Sequence, residues 1–321
     1  MDRYEARLLK SARSVSLPLD DAPPRPLSPF KAYSAGPGYR FFTDGTFQQR
    51  CDTSSHSRAR VYDLGHGQIE AIVQPVLDWV EIEPLTPQAL VEAIEQQHAL
   101  RLLTPLEREE RDERNEERSC RRARTKVRRL AKFKRLDTML TLTYAANQTD
   151  RGLAQVHLAA FVRRIKRIIP GFEYVAVAEP QKRGAWHWHM AVKQLGSGYW
   201  VGGRYVHSWK LLRSIWRSVI ADGGNIDVQA PGKPGAGVHK LASYLTKYIT
   251  KGFASGVKHQ NRYQASGCAL PDAVVLELPG VGMAAVADVY RLIVPEWAKG
   301  RNYTSPPLAS GGYFLSITPS G

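Results

Sequence analysis

The segment that most narrows what this chain can fold into is Ala185 to Val192, which contains Trp186-His187-Trp188-His189. This segment and Phe172 to Val177 are rich in β-branched and aromatic residues, and Pro180-Gln181-Lys182-Arg183-Gly184 between them supplies turn chemistry, so the pair reads as a hairpin. Side chains alternate faces along a strand. His187 and His189 therefore leave one face, while Trp186, Trp188 and Met190 leave the other. Two imidazoles converge on one point, and neutral imidazole is a good ligand for a divalent ion. Glu179, near the end of the preceding strand, is placed to add a carboxylate as a third, harder ligand, leaving positions open for a substrate phosphate. Standing alone, the His-x-His would read as a solvent-facing pair on an edge strand.

It does not stand alone. Val238 to Lys251 has apolar residues at Leu241, Leu245 and Ile249, which fits a helix. The four-residue spacing of Tyr244 and Tyr248 sets both phenols on one helical face, one turn apart. Lys247 and Lys251 each follow a tyrosine by three, so Tyr-x-x-Lys occurs twice in succession. The competing reading is an amphipathic helix that packs two tyrosines and rims them with lysines. A phenol, with its ordinary pKa near 10, becomes a useful nucleophile toward phosphorus only beside cations and with the phosphate polarised by a metal.

The order Thr138 to Tyr144, then Glu179 to His189, then Tyr244 to Lys251 resembles the three ordered motifs of the rolling-circle replication initiators among the HUH endonucleases. The paired tyrosines resemble their two-tyrosine branch, found in phage and plasmid replication proteins. The resemblance covers about residues 130 to 265. It implies a site-specific single-strand DNA endonuclease and strand transferase in which His187, His189 and Glu179 hold Mg²⁺ or Mn²⁺ and either tyrosine attacks the DNA, leaving a 5′ phosphotyrosine and a free 3′ hydroxyl. The second tyrosine would cut the regenerated origin while the first still holds the old end. Lys247 and Lys251 would then stabilise phenolate or phosphate charge. The implied partners are single-stranded origin DNA, with or without a hairpin, and a host helicase and polymerase, in the cytoplasm of a bacterial host cell. One departure is the lack of any helicase module: Gly232-Lys233-Pro234-Gly235-Ala236-Gly237 lacks the Gly-x-x-x-x-Gly-Lys-Ser/Thr pattern and reads as a flexible connection.

The charge balance agrees with a polyanionic partner, for the 321 residues carry a formal net charge of +15 with a sequence pI near 9.8. Cys51, Cys120 and Cys268 are far apart and lack metal-ligand spacing, so neither a disulfide framework nor a zinc module is indicated, and a reducing cytosol fits. No run of about 18 apolar residues occurs, and the first residues lack the apolar core of a signal peptide, so a soluble protein without a membrane partner is expected.

Four segments are expected. Residues 1–103 read as irregular or as a small mixed unit, with a proline-rich stretch from Pro18 to Pro37 and a helix start at Thr86-Pro87. Residues 104–135 read as a long helix with a capping box at Thr104-Pro105-Leu106-Glu107. Its first half mixes charges, whereas Arg121 to Arg135 holds nine Lys or Arg and no acid beside a narrow apolar stripe of Ala123, Val127, Leu130 and Ala131. One face would dock on the catalytic domain while Arg121, Arg122, Arg124, Lys126, Arg128 and Arg129 meet DNA phosphates, with Lys182 and Arg183 adding cations from the hairpin turn. The alternative is a solvated charged helix with no ligand. Residues 136–255 read as the catalytic domain, in the order strand, helix, strand, strand, helix, strand, helix. This implies an α+β fold whose antiparallel-rich sheet carries helices on one face, an HUH/RRM-like palm, with the other face left for DNA. Residues 256–321 read as a C-terminal segment ending in a tail, with Ala284 to Tyr290 helical and Arg262 and Tyr263 near DNA. Two other functions remain open: a two-tyrosine transposase or relaxase, and a non-catalytic nucleic-acid-binding regulator that uses basic and aromatic side chains as backbone and stacking contacts. A relaxase commonly resembles a three-histidine pattern with a tyrosine near its amino terminus, and neither is seen here.

Overall fold

The computed structural model describes residues 33–83 except 37 and 43–45, several between 86 and 95, and 104–229 except 182 and 222; it also describes 237–254, 263–293 except 268, and 301–319 except 310. Most of the proline-rich stretch and the segment 232–236 therefore fall outside the described residues. The chain forms two compact units, the first from residues 1–53 and 77–103, the second from 54–76 and 104–321.

In the first unit, β1 (Tyr33–Gly36), β2 (Tyr39–Phe41), β3 (Phe47–Arg50) and β6 (Trp79–Ile82) pair antiparallel in that order. The Arg40 guanidinium lies 4.2 Å over the Trp79 ring and is held by Gln48. The helix start at Thr86 is present, with Thr86 Oγ1 accepting from the Ala89 N–H at 3.2 Å.

In the second unit, α1 (Pro105–Phe133) begins at the expected capping box: Thr104 and Glu107 each bond the other's backbone N–H. It ends where Arg135 turns to positive φ and the Leu136 N–H reaches back to the Ala131 carbonyl. From there the chain follows the expected order: β7 (Thr138–Thr143), α2 (Arg151–Ile168), β8 (Tyr174–Pro180), β9 (Trp186–Val192), α3 (Ser208–Ile220), β12 (Asn225–Gln229) and α4 (Gly237–Ala254). The sheet order is β12-β7-β9-β8-β13, all antiparallel, with β13 being Gln264–Ala265. This is the α+β class expected. The hairpin β10 (Gly198–Val201) and β11 (Arg204–His207) before α3 is an addition to that order.

The expectation that helices cover one sheet face needs correction, because both faces are covered. The tryptophan face meets α2 and α3 in a core built around Trp188, Trp216, Phe161 and Leu158. The indole N–H groups stay satisfied at depth: Trp188 donates to the Ala154 carbonyl, Trp186 to that of Thr149 and Trp216 to that of Thr143. The other face, carrying Met139, Val175, Val177 and Ala191, lies under Val127, Leu130 and Ala131 of α1 and Ala242, Leu245 and Ile249 of α4. Apolar sheet residues on both faces have to be buried, and α4 has an apolar stripe to bury with them.

The C-terminal residues form no tail over their described length. A second sheet runs β14-β4-β5-β16-β15, from β4 (His56–Asp63), β5 (Ile69–Val76), β14 (Val274–Leu278), β15 (Arg301–Thr304) and β16 (Tyr313–Pro319). The helix α5 (Gly282–Ile293) covers one face, extending the stretch expected to be helical. The opposite face offers Glu70, fully buried, to α1. Arg128, Arg129 and Lys132 all donate to its carboxylate at 2.8 to 3.0 Å. Arg129 also lies 3.6 Å over the Tyr62 ring, and Arg128 lies 4.7 Å over Phe314. Burial alone would raise the Glu70 carboxyl, but the hydrogen bond and charge of Arg128, together with those of Lys132, outweigh it and hold the group at about 2.

Glu70→Gln leaves three cations around a neutral amide in a water-poor site, and it should cost about 3–5 kcal/mol of unfolding free energy in a denaturant titration. The sign with pH follows from the depressed pKa. The carboxylate contributes fully above about 4.5 and progressively less toward about 2, so the gap between wild type and variant should narrow as pH falls through that window. A gap that did not change with pH would exclude the charge as its source.

Candidate functional site

The site forms where the histidine face of the sheet meets α4. In the β8–β9 register Glu179 lies opposite His187 and Val177 opposite His189, while β7 sets Thr141 opposite His189. Glu179, His187, His189 and Thr141 thus share one face, as the strand alternation requires. His189 Nε2 lies 2.7 Å from Glu179 Oε2, so this nitrogen carries the proton and Nδ1 accepts from the Thr141 hydroxyl at 3.4 Å. The Gln181 amide donates to His187 Nδ1 at 3.2 Å and accepts from Arg183 Nε at 3.1 Å. His187 Nε2 is buried with no hydrogen-bond partner. An atom in that position has an unmet bonding requirement.

Tyr248 stacks on His189, with ring centroids 3.5 Å apart and planes within 12°. Its hydroxyl donates to the Tyr244 hydroxyl at 2.5 Å, and the two phenol rings meet edge to face. The two tyrosines differ in access: Tyr248 is 7% exposed and Tyr244 is 45% exposed. Burial pushes the Tyr248 phenol above the ordinary tyrosine range, with further contributions from its bond to Tyr244 and from the charges of Tyr244 and Glu179. Tyr248 therefore stays protonated and remains a donor.

Lys247 is exposed on α4, while the side chain of Lys251 lies outside the described residues, as does Lys182. Arg183 Nη2 donates to the Tyr144 carbonyl, which ties the turn to the end of β7. On α1 the expected cations divide. Arg121, Arg122, Arg124 and Lys126 are exposed, with Arg121 bonded to Glu117 at 3.3 Å. Arg128 and Arg129, placed beside them in the sequence reading, are turned inward to Glu70, because the apolar stripe that docks α1 carries its neighbours into the interface. Tyr263 packs against the core beneath α4, and Arg262 lies outside the described residues. Sequence reasoning missed Thr141 and Gln181, the groups that orient the two imidazoles. Each is legible only once the strand register is known.

Among the described residues no group of three or more His, Cys, Asp or Glu side chains is arranged to hold a metal ion, and no helix is long and apolar enough to cross a membrane. The donor set of two imidazoles and a carboxylate on one face, with one imidazole nitrogen buried and unpartnered, nevertheless suits a divalent ion in its chemistry.

Residues 137–253, from the start of β7 to the end of α4, match a family model described as a replication-associated protein of the ORF2 type. The matched stretch holds the histidines, Glu179 and both tyrosines, and it supports a link to replication initiation. Neither the curated proteins nor the solved structures contain a match to this chain.

Burial lowers the His187 pKa to about 4, aided by the charges of His189 and Arg183 and opposed by Glu179. An NMR titration should therefore give His187 a midpoint near 4, against the ordinary 6.5. Between these values the unfolded chain binds a proton that the folded chain refuses, so stability should fall as pH drops across that window. A midpoint at the ordinary value would place the imidazole in water.

Proposed function

We propose that this chain is a replication initiator that nicks and rejoins single-stranded DNA through a tyrosine on α4. The observation that carries the reading is the hydrogen-bonded tyrosine pair seated over a histidine of the sheet, inside the stretch that matches the replication-associated family.

Tyr244, the more exposed phenol, is the first nucleophile. Its oxygen attacks the scissile phosphorus, the bond from phosphorus to the 3′ oxygen breaks, and that oxygen leaves as a hydroxyl after taking a proton. The product is a 5′ phosphotyrosine and a 3′ end able to prime synthesis. Charge builds on the Tyr244 oxygen as its proton leaves, and the Tyr248 hydroxyl is directed at that oxygen. Tyr248 is in turn fixed by its stack on His189, whose ring is held by Glu179 and Thr141. Attack of a 3′ hydroxyl on the phosphotyrosine reverses the step without ATP, since one phosphoester replaces another. A bound Mg²⁺ or Mn²⁺, held by His187, His189 and Glu179, would polarise the phosphate. Once Tyr244 is esterified, Tyr248 can serve as the second nucleophile for the next cut. Lys247 supplies positive charge beside the phosphate, and Arg121, Arg122, Arg124 and Lys126 hold the backbone of the DNA.

The tyrosines give the sharpest test. On a short origin strand, Tyr244→Phe should lower the yield of covalent adduct at least about a hundredfold, while Tyr248→Phe, which removes one oriented donor, should cost about tenfold. The double variant should give no adduct, and EDTA or the change of both histidines to alanine should abolish cleavage while leaving binding. Adduct mapped by mass spectrometry to a tyrosine outside α4 would end the reading.

The division on α1 makes a separate forecast. Changing Arg122, Arg124 and Lys126 together to glutamine should reduce the salt slope of single-strand binding by about 2. Arg128→Gln should instead lower the melting temperature and leave the slope nearly alone.

A further inference from the structure

The side of the sheet opposite the tyrosines carries groups that neither the fold nor the proposed chemistry uses. The hairpin β10–β11 turns at Gly202 and Gly203, both at positive φ (54° and 77°), which is what a tight two-residue hairpin turn demands. Its register sets Trp200 across from Tyr205, with rings 5.9 Å apart and edge to face. The inward residues Tyr199, Val201 and Val206 pack on the core beneath α3 and satisfy the hairpin's need for burial. The outward aromatics have no such role: Trp200 is 73% exposed, Tyr205 47%, and Trp209 in the first turn of α3 45%.

These rings are held in place. A Cβ on Gly198 would come within 2.6 Å of the Tyr205 ring, so that ring lies close against the β10 backbone, and the Tyr205 and Ser197 hydroxyls meet at 2.8 Å. Rigid, exposed aromatic faces of this kind lose little entropy when a flat partner stacks on them.

The surroundings are cationic. Between Glu179 and Asp222 the sequence has no acidic residue but seven Lys or Arg. Lys210 and Arg213 flank the Trp209 ring at 5.3 and 5.1 Å, and Arg204 is exposed on the hairpin. The neighbouring α2 has no acid either; its Arg164 donates to Ser218 of α3 at 2.6 Å, and its exposed Arg163, Lys166 and Arg167 extend the basic face. An apolar protein partner would not call for cations interleaved with the rings, and duplex DNA hides its base faces.

We propose that the β10–β11 hairpin and the outer face of α3 form a second binding surface for single-stranded DNA, where bases stack on Trp200, Tyr205 and Trp209 and the adjoining cations meet phosphates. It rests on the reading of the chain as a single-strand nickase. Because it lies across the sheet from α4, the strand it holds is a segment away from the phosphate being cut.

The test uses the full chain carrying Tyr244→Phe and Tyr248→Phe, so that cleavage does not interfere, and a 5′-fluorescein oligothymidylate of about twenty nucleotides read by anisotropy. Trp200→Ala with Trp209→Ala should weaken binding at least about tenfold. Trp200→Phe with Trp209→Phe keeps a stacking face and should stay within about threefold of the parent, which separates stacking from a folding defect. Lys210→Gln with Arg213→Gln should lower the salt slope by about one. An affinity unchanged in the alanine variant, or a duplex of equal length competing as well as the single strand, would overturn the surface. Wild-type chain that binds the oligonucleotide through these rings but never nicks DNA would sink the nickase reading and leave the surface standing.

Discussion

The buried carboxylate of Glu70 fixes where the long helix sits, and the position of that helix decides what the histidine-bearing strands can meet. Three cations from successive turns of α1 converge on one carboxylate with no water to replace them, so α1 cannot rotate or slide without stranding charge in a dry interface. Its apolar stripe then forms one wall of the core that α4 completes. The tyrosines arrive over the histidines because α4 is wedged between that wall and the sheet. An ion pair with no part in any chemistry thereby sets the geometry on which the chemistry depends.

Within the site, burial gives two similar phenols different tasks. One is capped by an imidazole and kept protonated. The other stands half in solvent and receives its neighbour's proton as a hydrogen bond. Spacing alone makes the two equivalent, and only the depth of the helix in its groove separates them.

Much of the segment from β7 to α4 is legible in the sequence because each element carries its own signal: alternation in β9 and a helical stripe in α4, as the capping box at Thr104 does for α1. Alternation also tells which residues share a face. What covers that face is a long-range matter on which no local pattern reports. The acidic partner of Arg128 and Arg129 lies in a strand more than fifty residues upstream, so the run of cations looks free to meet DNA. The segment from Tyr313 does alternate, with Leu315 and Ile317 buried, but its glycines, serines and prolines conceal that strand. The Gly202-Gly203 pair between aromatic runs is a usable hairpin signal that the sequence reading passes over.

The placement of β16 has a consequence for how the molecule assembles. It is almost the last segment made, yet it lies between β5 and β15 and borders Glu70 through Ser316. The histidine-bearing sheet is drawn from a single stretch of the chain and closes mostly local contacts, so it can condense while synthesis continues. The sheet that anchors α1 must wait for a strand some 240 residues downstream of β5, a high-contact-order closure that is intrinsically slow. During that interval β5 presents an unpaired edge with a carboxylate beside it, and the cations of α1 are the nearest groups able to keep that edge from pairing with another chain.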